Sequence, residues 1–333
     1  MSELPITRRR ALTAYWSFVA ASRLSRAQVR TPPVDELVNA GEFEAAAERK
    51  LDSLTFAEVR GSERTALDRI TLRPRLMIDS REMDLTTELF GQSMFMPILV
   101  GPVSQLKRYH PEGELAMARG ASAAKAVLVV AGKSSYPIEQ IAAQAKTPLW
   151  YQLDLSADWN EMRSSTDRAM ACGCKALCVT ISTGVDWSVL ERLRKSIRMP
   201  LVLKGIMSAD EAARALSAGA QGLVVSNYAP KRITGVASSI EVLPAVVEAV
   251  AGKVAVLMDG SVRRGSDVLK ALALGARAVL VARPSVWGLA AYGADGVQSI
   301  VEVIQSEFAR DMAMCGKVSV SALDRTVVRI HRR

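Results

Sequence analysis

Three cations stand where apolar runs end. Lys204 closes Pro200–Lys204 (PLVLK), and Arg283 follows Ala278–Ala282 (AVLVA). Arg263 lies in Asp259-Gly260-Ser261-Val262-Arg263-Arg264-Gly265, just after Val254–Met258 (VAVLM). A lysine at the end of a buried strand is costly to desolvate unless it meets an anion or an electron-rich ligand. The other use for Lys204 is an ion pair with a neighbouring strand-end acid such as Asp259. Small residues at Gly260, Ser261 and Ala282 let backbone N–H groups approach a phosphate, and Arg263 and Arg283 supply its counter-charge. These residues favour a phosphate-bearing cofactor, held where Lys204, Arg263 and Arg283 converge on one cavity.

The apolar runs that carry these ends repeat. Pro97–Gly101, Val127–Ala131, Pro148–Leu153, Ala176–Ile181 and Gly222–Ser226 join the three above to give eight, each nearly continuous in apolar residues, as parallel strands covered on both faces are. Helical periodicity separates them over Glu112–Ala124, Ile138–Ala145, Trp159–Ala171, Trp187–Ser196, Ala209–Ser217, Ile240–Val250 and Gly265–Leu274, with a long closing helix over about Val286–Met314. The alternation predicts an α/β fold, a TIM (β/α)8 barrel over residues 96–325, with its chemistry at the carboxyl ends of the strands. No GxGxxG follows the first strand, which argues against a dinucleotide-binding sheet. Residues 28–95 form an amino-terminal extension of helices and a short hairpin that closes the barrel floor, and 326–333 form a basic tail.

Composition narrows the classes further. With 49% hydrophobic and 23% charged residues, the 333-residue chain is globular. Its four cysteines make no disulfide framework, and no uncharged apolar run of about 18 residues occurs that could span a membrane. The net charge of +9 lacks the interleaved aromatics of a nucleic-acid surface. Part of it sits in Thr7-Arg8-Arg9-Arg10-Ala11-Leu12, which opens an apolar stretch ending in the small residues Ser25 and Ala27. This predicts a twin-arginine-type export signal over residues 1–27 and hence an exported, periplasmic protein; an amphipathic helix of a cytoplasmic protein is the alternative. Cys172, Cys174 and Cys178 read as packing rather than metal ligands, because no histidine accompanies them. Met94, Met96, Met312 and Met314 read as core, while Tyr136 and Trp150 are candidates for the barrel mouth or for packing.

Several motifs together resemble the FMN-dependent α-hydroxy-acid oxidase/dehydrogenase family, which includes glycolate oxidase and lactate and mandelate dehydrogenases. They are Arg73-Pro74-Arg75, Asp84-Leu85-Thr86-Thr87, His110-Pro111-Glu112-Gly113-Glu114, Leu203-Lys204-Gly205-Ile206, Asp259 to Asp267, Lys270 to Ala276, and Arg283-Pro284 with Trp287-Gly288-Leu289. The resemblance implies FMN as cofactor. It places Pro102, Val103 and Ser104 along the flavin ring, Gln152 and Thr180 at its polar edge, and Lys204 beside N1 and O2, where a cation stabilises the reduced anion. Ser226 falls at the ribityl chain or ring. Asp259, Gly260, Ser261, Arg263, Ala282 and Arg283 match ribityl- and phosphate-binding positions, with Ser261 and Ala282 replacing glycines of the usual pattern.

The substrate half departs from that pattern. Where the family has a histidine base and a carboxylate-clamping arginine, this chain has Tyr228 and Lys231, within Ser226-Asn227-Tyr228-Ala229-Pro230-Lys231-Arg232. Ser182 to Asp186 run almost directly into the next helix, without a second clamp arginine or a long lid loop. Glu58 and Asp154 align with tyrosines, and if they face the ring they repel an anionic acid. His110 reads as a helix-capping residue. Histidine ordinarily titrates near 6.5 and tyrosine near 10, so a tyrosine in the base's place leaves a deficit on the order of 4 kcal/mol. Lysine balances a carboxylate without the bidentate fork of arginine. The resemblance thus implies oxidation of a small 2-hydroxy acid to a 2-oxo acid, with an electron acceptor (oxygen, a quinone or a cytochrome) and a homo-oligomer such as a tetramer. A flavin-binding relative without this turnover, or a non-redox flavin barrel resembling type 2 isopentenyl-diphosphate isomerase, remains open.

Overall fold

The computed structural model describes residues 31–62, 64–75, 79, 82–155, 158–181, 186–228 and 235–331. The export-signal reading, Ser182 to Val185 and Lys231 lie outside the described residues.

Helices α1 (Ala40–Lys50), α2 (Ser53–Val59) and α3 (Thr65–Asp68) lead to strand β1 (Ile70–Leu72). Asn39 and Asp52 start the first two by accepting hydrogen bonds from backbone N–H groups of the first turn. A hairpin of β2 (Thr87–Leu89) and β3 (Gln92–Met94) follows. Eight parallel strands then close into a barrel in sequence order: β4 (Ile98–Val100), β5 (Val127–Ala131), β6 (Leu149–Asp154), β7 (Leu177–Thr180), β8 (Leu201–Ile206), β9 (Gly222–Ser226), β10 (Ala255–Asp259) and β11 (Ala278–Val281). Strand β11 returns to β4 through Val279 opposite Ile98 and Val281 opposite Val100. This is the (β/α)8 barrel that the eight apolar runs predicted.

The intervening helices are α4 (Gly113–Ala123), α5 (Ile138–Gln144), α6 (Trp159–Ala171), α7 (Trp187–Ser196), α8 (Ala209–Ser217), α9 (Ser239–Val250) and α10 (Gly265–Ala273). Asp158, Asp186 and Ser208 cap three of them. The closing helix α11 (Arg283–Met314) bends at Gly293, whose φ of 64° is a left-handed value that glycine takes without strain. Strand β12 (Val328–Ile330) pairs antiparallel with β1 and ties the carboxyl end to the extension.

Side chains alternate along each barrel strand between the interior and the helical layer. The interior holds Leu99, Val129, Trp150, Cys178, Val202, Val224, Leu257 and Leu280. Two residues further along their strands, the same face carries Ala131, Gln152, Thr180, Lys204, Ser226 and Asp259, so the polar layer at the mouth follows from the strand period. At the opposite end the hairpin fills the barrel. Leu89 and Met94 are buried among the interior side chains, and Phe90 packs on Trp150 with ring centroids 5.5 Å apart. A Cβ on Gly222 would sit 2.7 Å from the Phe90 ring, so the smallest residue is required there.

Trp150 is therefore core, and Tyr136 lies under the Lys107 ammonium, away from the mouth cavity. Met94, Met96 and Met312 are buried, whereas Met314 is 48% exposed, because it ends the last turn of α11. Helices α1 and α2 pack along α11 and carry the segment around Glu58 to Arg64 over the mouth rather than the floor.

Candidate functional site

A cavity of about 380 Å³ opens at the carboxyl ends of the strands, within the roughly 300–1,000 Å³ of ordinary small-molecule sites. Its wall includes Pro102, Val103, Ser104, Gln152, Thr180, Lys204, Asp259, Gly260, Ser261, Arg263, Ala282, Arg283 and Tyr228. Lys204, Arg263 and Arg283 thus share one cavity. Ser226 does not line it; it is buried behind Lys204.

The inner layer is a connected polar network. Lys204 Nζ is 2.6 Å from Asp259 Oδ2 and donates to Ser226 Oγ at 3.0 Å, while Ser226 Oγ donates to Asp259 Oδ2 at 3.2 Å. The ion pair offered as the other use for Lys204 is therefore present, and the ammonium still borders the cavity. Side-chain exposures of 5% and 14% make this a buried pair, in which losing one partner leaves an uncompensated charge. Gln152 Nε2 donates to Thr180 Oγ1 at 2.9 Å and to Asp154 Oδ1 at 2.7 Å. The Tyr228 ring lies 5.3 Å from the Lys204 ammonium, and the residue is 65% exposed.

The outer corner gathers cations. Arg283 Nη2 donates to Ser62 Oγ at 2.8 Å, Arg263 Nη2 to the Ser62 carbonyl at 2.6 Å, and the Ser62 and Ser261 hydroxyls are 2.9 Å apart. Neither guanidinium reaches a carboxylate within ion-pair distance among the described residues. Burial is the main cause pulling both below the ordinary guanidinium value; like charge adds to it, from Arg64 on Arg263 and from Arg263 on Arg283. An anion would relieve both effects. Space is kept for it: a Cβ on Gly61 would collide with the Arg263 guanidinium, and Gly260 has a φ of 129°. Ser261, in a glycine's usual place, takes a left-handed φ of 57°. These residues fit a phosphate-bearing cofactor.

One carboxylate shapes that corner without lining it. Asp267 is fully buried, receives two hydrogen bonds from Arg64 at 2.7 and 2.9 Å, and accepts the backbone N–H of Arg263 and of Arg264. It fixes the turn that presents Ser261 and Arg263.

The rim holds the residues that sequence reasoning missed. Arg108 and Tyr109, at the end of the single turn Leu106–Arg108, both bind Glu58. Burial first, and then the Glu58 charge, pushes the Tyr109 hydroxyl up to about 12. Glu58 does face the cavity, but as half of an ion pair; Asp154 lies off the wall and pairs with Lys133 at 3.5 Å. The expectation of two repelling carboxylates is overturned, since a loop cation meets each. The only sequence signal was Lys107-Arg108 in a mouth loop. Ser62 and Arg64 gave none, because their partners are about two hundred residues away.

His110 works in the turn before α4, accepting from the Glu112 N–H and packing on Gly293. Burial pushes the thiols of Cys174 and Cys178 up to about 12. No group of three or more potential metal ligands, and no helix long and apolar enough to cross a membrane, occurs among the described residues.

The family model described as FMN-dependent dehydrogenase matches residues 57–186 and 180–330. The chain is 35% identical over 349 residues to a peroxisomal (S)-2-hydroxy-acid oxidase of Oryza sativa subsp. japonica, covering 87% of this chain and 95% of that one. It is 33% identical to an L-lactate oxidase of Nostoc sp., covering 86% and 96%. A mandelate oxidase variant with (S)-mandelic acid superposes with a TM-score of 0.85 at 34% identity, covering 89% and 100%.

Proposed function

We infer, for a chain that belongs to the FMN-dependent dehydrogenase family, that it oxidises a 2-hydroxy acid to the 2-oxo acid with a rebuilt substrate half. The observation that carries this reading is the convergence of Lys204, Arg263 and Arg283 on one cavity beside Tyr228. FMN, when bound, supplies the two-electron acceptor ring.

The chain's residues divide the remaining work. Arg263, Arg283, Ser261 and the backbone around Gly260 would hold the phosphate. Gln152 and Thr180 would meet the polar edge of the ring. Lys204, paired with Asp259, would face the edge that gains negative charge. Tyr228, on the cavity wall beside Lys204, would accept the hydroxyl proton of the substrate. A tyrosine accepts that proton at a cost histidine does not incur, so turnover is slow or adapted to a more acidic hydroxyl.

Anaerobic addition of L-lactate, glycolate and (S)-mandelate to the flavin-loaded protein tests the reading. Bleaching of the flavin by at least one acid, slower than in family members with the histidine, is expected. A flavin that binds these acids yet stays oxidised with all of them would leave a cofactor-binding protein without this reaction.

The cradle has its own check. Gly61→Ala should displace the Arg263 guanidinium and raise the Kd for FMN about tenfold, the value of one charge-assisted contact. Fluorescence of flavin released on dilution measures it, and an unchanged Kd would remove Arg263 from the phosphate site.

A further inference from the structure

Glu58 is the one acidic residue of α2, and its carboxylate is held at two points. Arg108 Nη2 donates to Oε1, and Tyr109 Oη donates to Oε2 at 3.3 Å. One donor for each oxygen, supplied by consecutive residues, is the arrangement that recognises a carboxylate.

The receptor is pre-organised. The turn Leu106–Arg108 is fastened by the Leu106 N–H to Glu114 Oε1 at 3.0 Å and the Lys107 N–H to Ser135 Oγ at 3.1 Å, and the Leu106 and Tyr109 side chains are buried. On the other side, Trp287 Nε1 donates to the Val59 carbonyl at 2.9 Å and fixes the end of α2.

The other cations on the cavity wall are engaged elsewhere. Lys204 is bound to Asp259, and Arg263 and Arg283 gather around Ser62 in the outer corner. Arg108 differs because its partner is a half-exposed side chain from a separate element, with side-chain exposures of 46% and 44% for the pair. Such a rim pair is weak and exchangeable. All three residues line the cavity together with Tyr228.

We propose that Arg108 and Tyr109 form the carboxylate-binding site of this cavity, and that Glu58 occupies it until a substrate carboxylate displaces it. The proposal rests on the reading of the cavity as a 2-hydroxy-acid site and assigns the residues that read the acid. Glu58 swings outward as the incoming carboxylate takes both donors, so no charge is left buried. The exchange favours small acids whose carboxylate reaches Arg108 while the hydroxyl carbon stays near Tyr228.

The test is the Kd of pyruvate, read from perturbation of the visible spectrum of the flavin-loaded protein. Glu58→Gln removes the competing charge and should bind pyruvate about fivefold tighter than the parent. Arg108→Ala should bind at least about tenfold weaker, with Arg108→Lys between it and the parent, because the charge is kept but the fork is lost. Tyr109→Phe should weaken binding about threefold. Thermal midpoints within a few degrees of the parent confirm that these rim variants fold.

Equal affinity in Arg108→Ala and the parent overturns the proposal, and so does a Glu58→Gln variant that binds no tighter. A parent that shows no perturbation still predicts binding by Glu58→Gln; silence in both overturns it. Failure of the catalytic reading looks different: the acid perturbs the spectrum, Arg108 matters, and the flavin is never bleached.

Discussion

Asp267→Ala should lower stability by about 3–5 kcal/mol, a loss that follows when one member of a buried ion pair is removed. Asp267 is fully buried, and its partner Arg64 is only 18% exposed. The variant leaves the Arg64 guanidinium only the Ser261 carbonyl and the exposed Asp68 at 3.6 Å, and it removes the acceptor of two backbone N–H groups. Differential scanning calorimetry should show the midpoint falling by roughly 10 °C for a domain of this size. FMN affinity should fall with it, since the Arg263 turn loses its anchor. The double variant Arg64→Met/Asp267→Ala, which removes both charges, should be more stable than Asp267→Ala alone. A midpoint within 2 °C of the parent for the single variant would show that the carboxylate does not organise the corner.

The second large effect is a gain. Tyr228→His should accelerate flavin reduction by L-lactate about 10²–10³-fold, because the gap between ordinary histidine and tyrosine corresponds to on the order of 4 kcal/mol of proton affinity at neutral pH. Tyr228 is 65% exposed, so the smaller ring enters without repacking the core. Stopped-flow absorbance of the anaerobic flavin measures that rate. If Tyr228→His keeps its flavin and its rate stays at the parent's level, proton abstraction is not what limits this chain.

The barrel was legible because its determinants are local. Apolar runs of five or six residues mark each strand, and the helices Trp159–Ala171, Trp187–Ser196 and Ala209–Ser217 between them fall on the expected residues. The inner wall was legible for the same reason, since the strand period that buries Val202 and Leu257 also points Lys204 and Asp259 at the mouth. The rim was not legible. Glu58, Ser62 and Arg64 arrive on a segment whose contacts span some fifty to two hundred residues, and no local pattern encodes such closures. Arg108 carried a visible charge, but its direction is set by burial of Leu106 and Tyr109, which only the packed turn reveals.

Among the described residues, the Phe90 hairpin leaves the mouth as the way into the barrel. With the far end stoppered by Leu89, Phe90 and Met94, fuel, oxidised product and electron acceptor share that mouth. Where product leaves before the acceptor enters, the two halves of a catalytic cycle alternate, and double-reciprocal plots at varied acceptor concentrations are parallel. An acceptor too broad to enter the mouth would have to collect its electrons at the threshold.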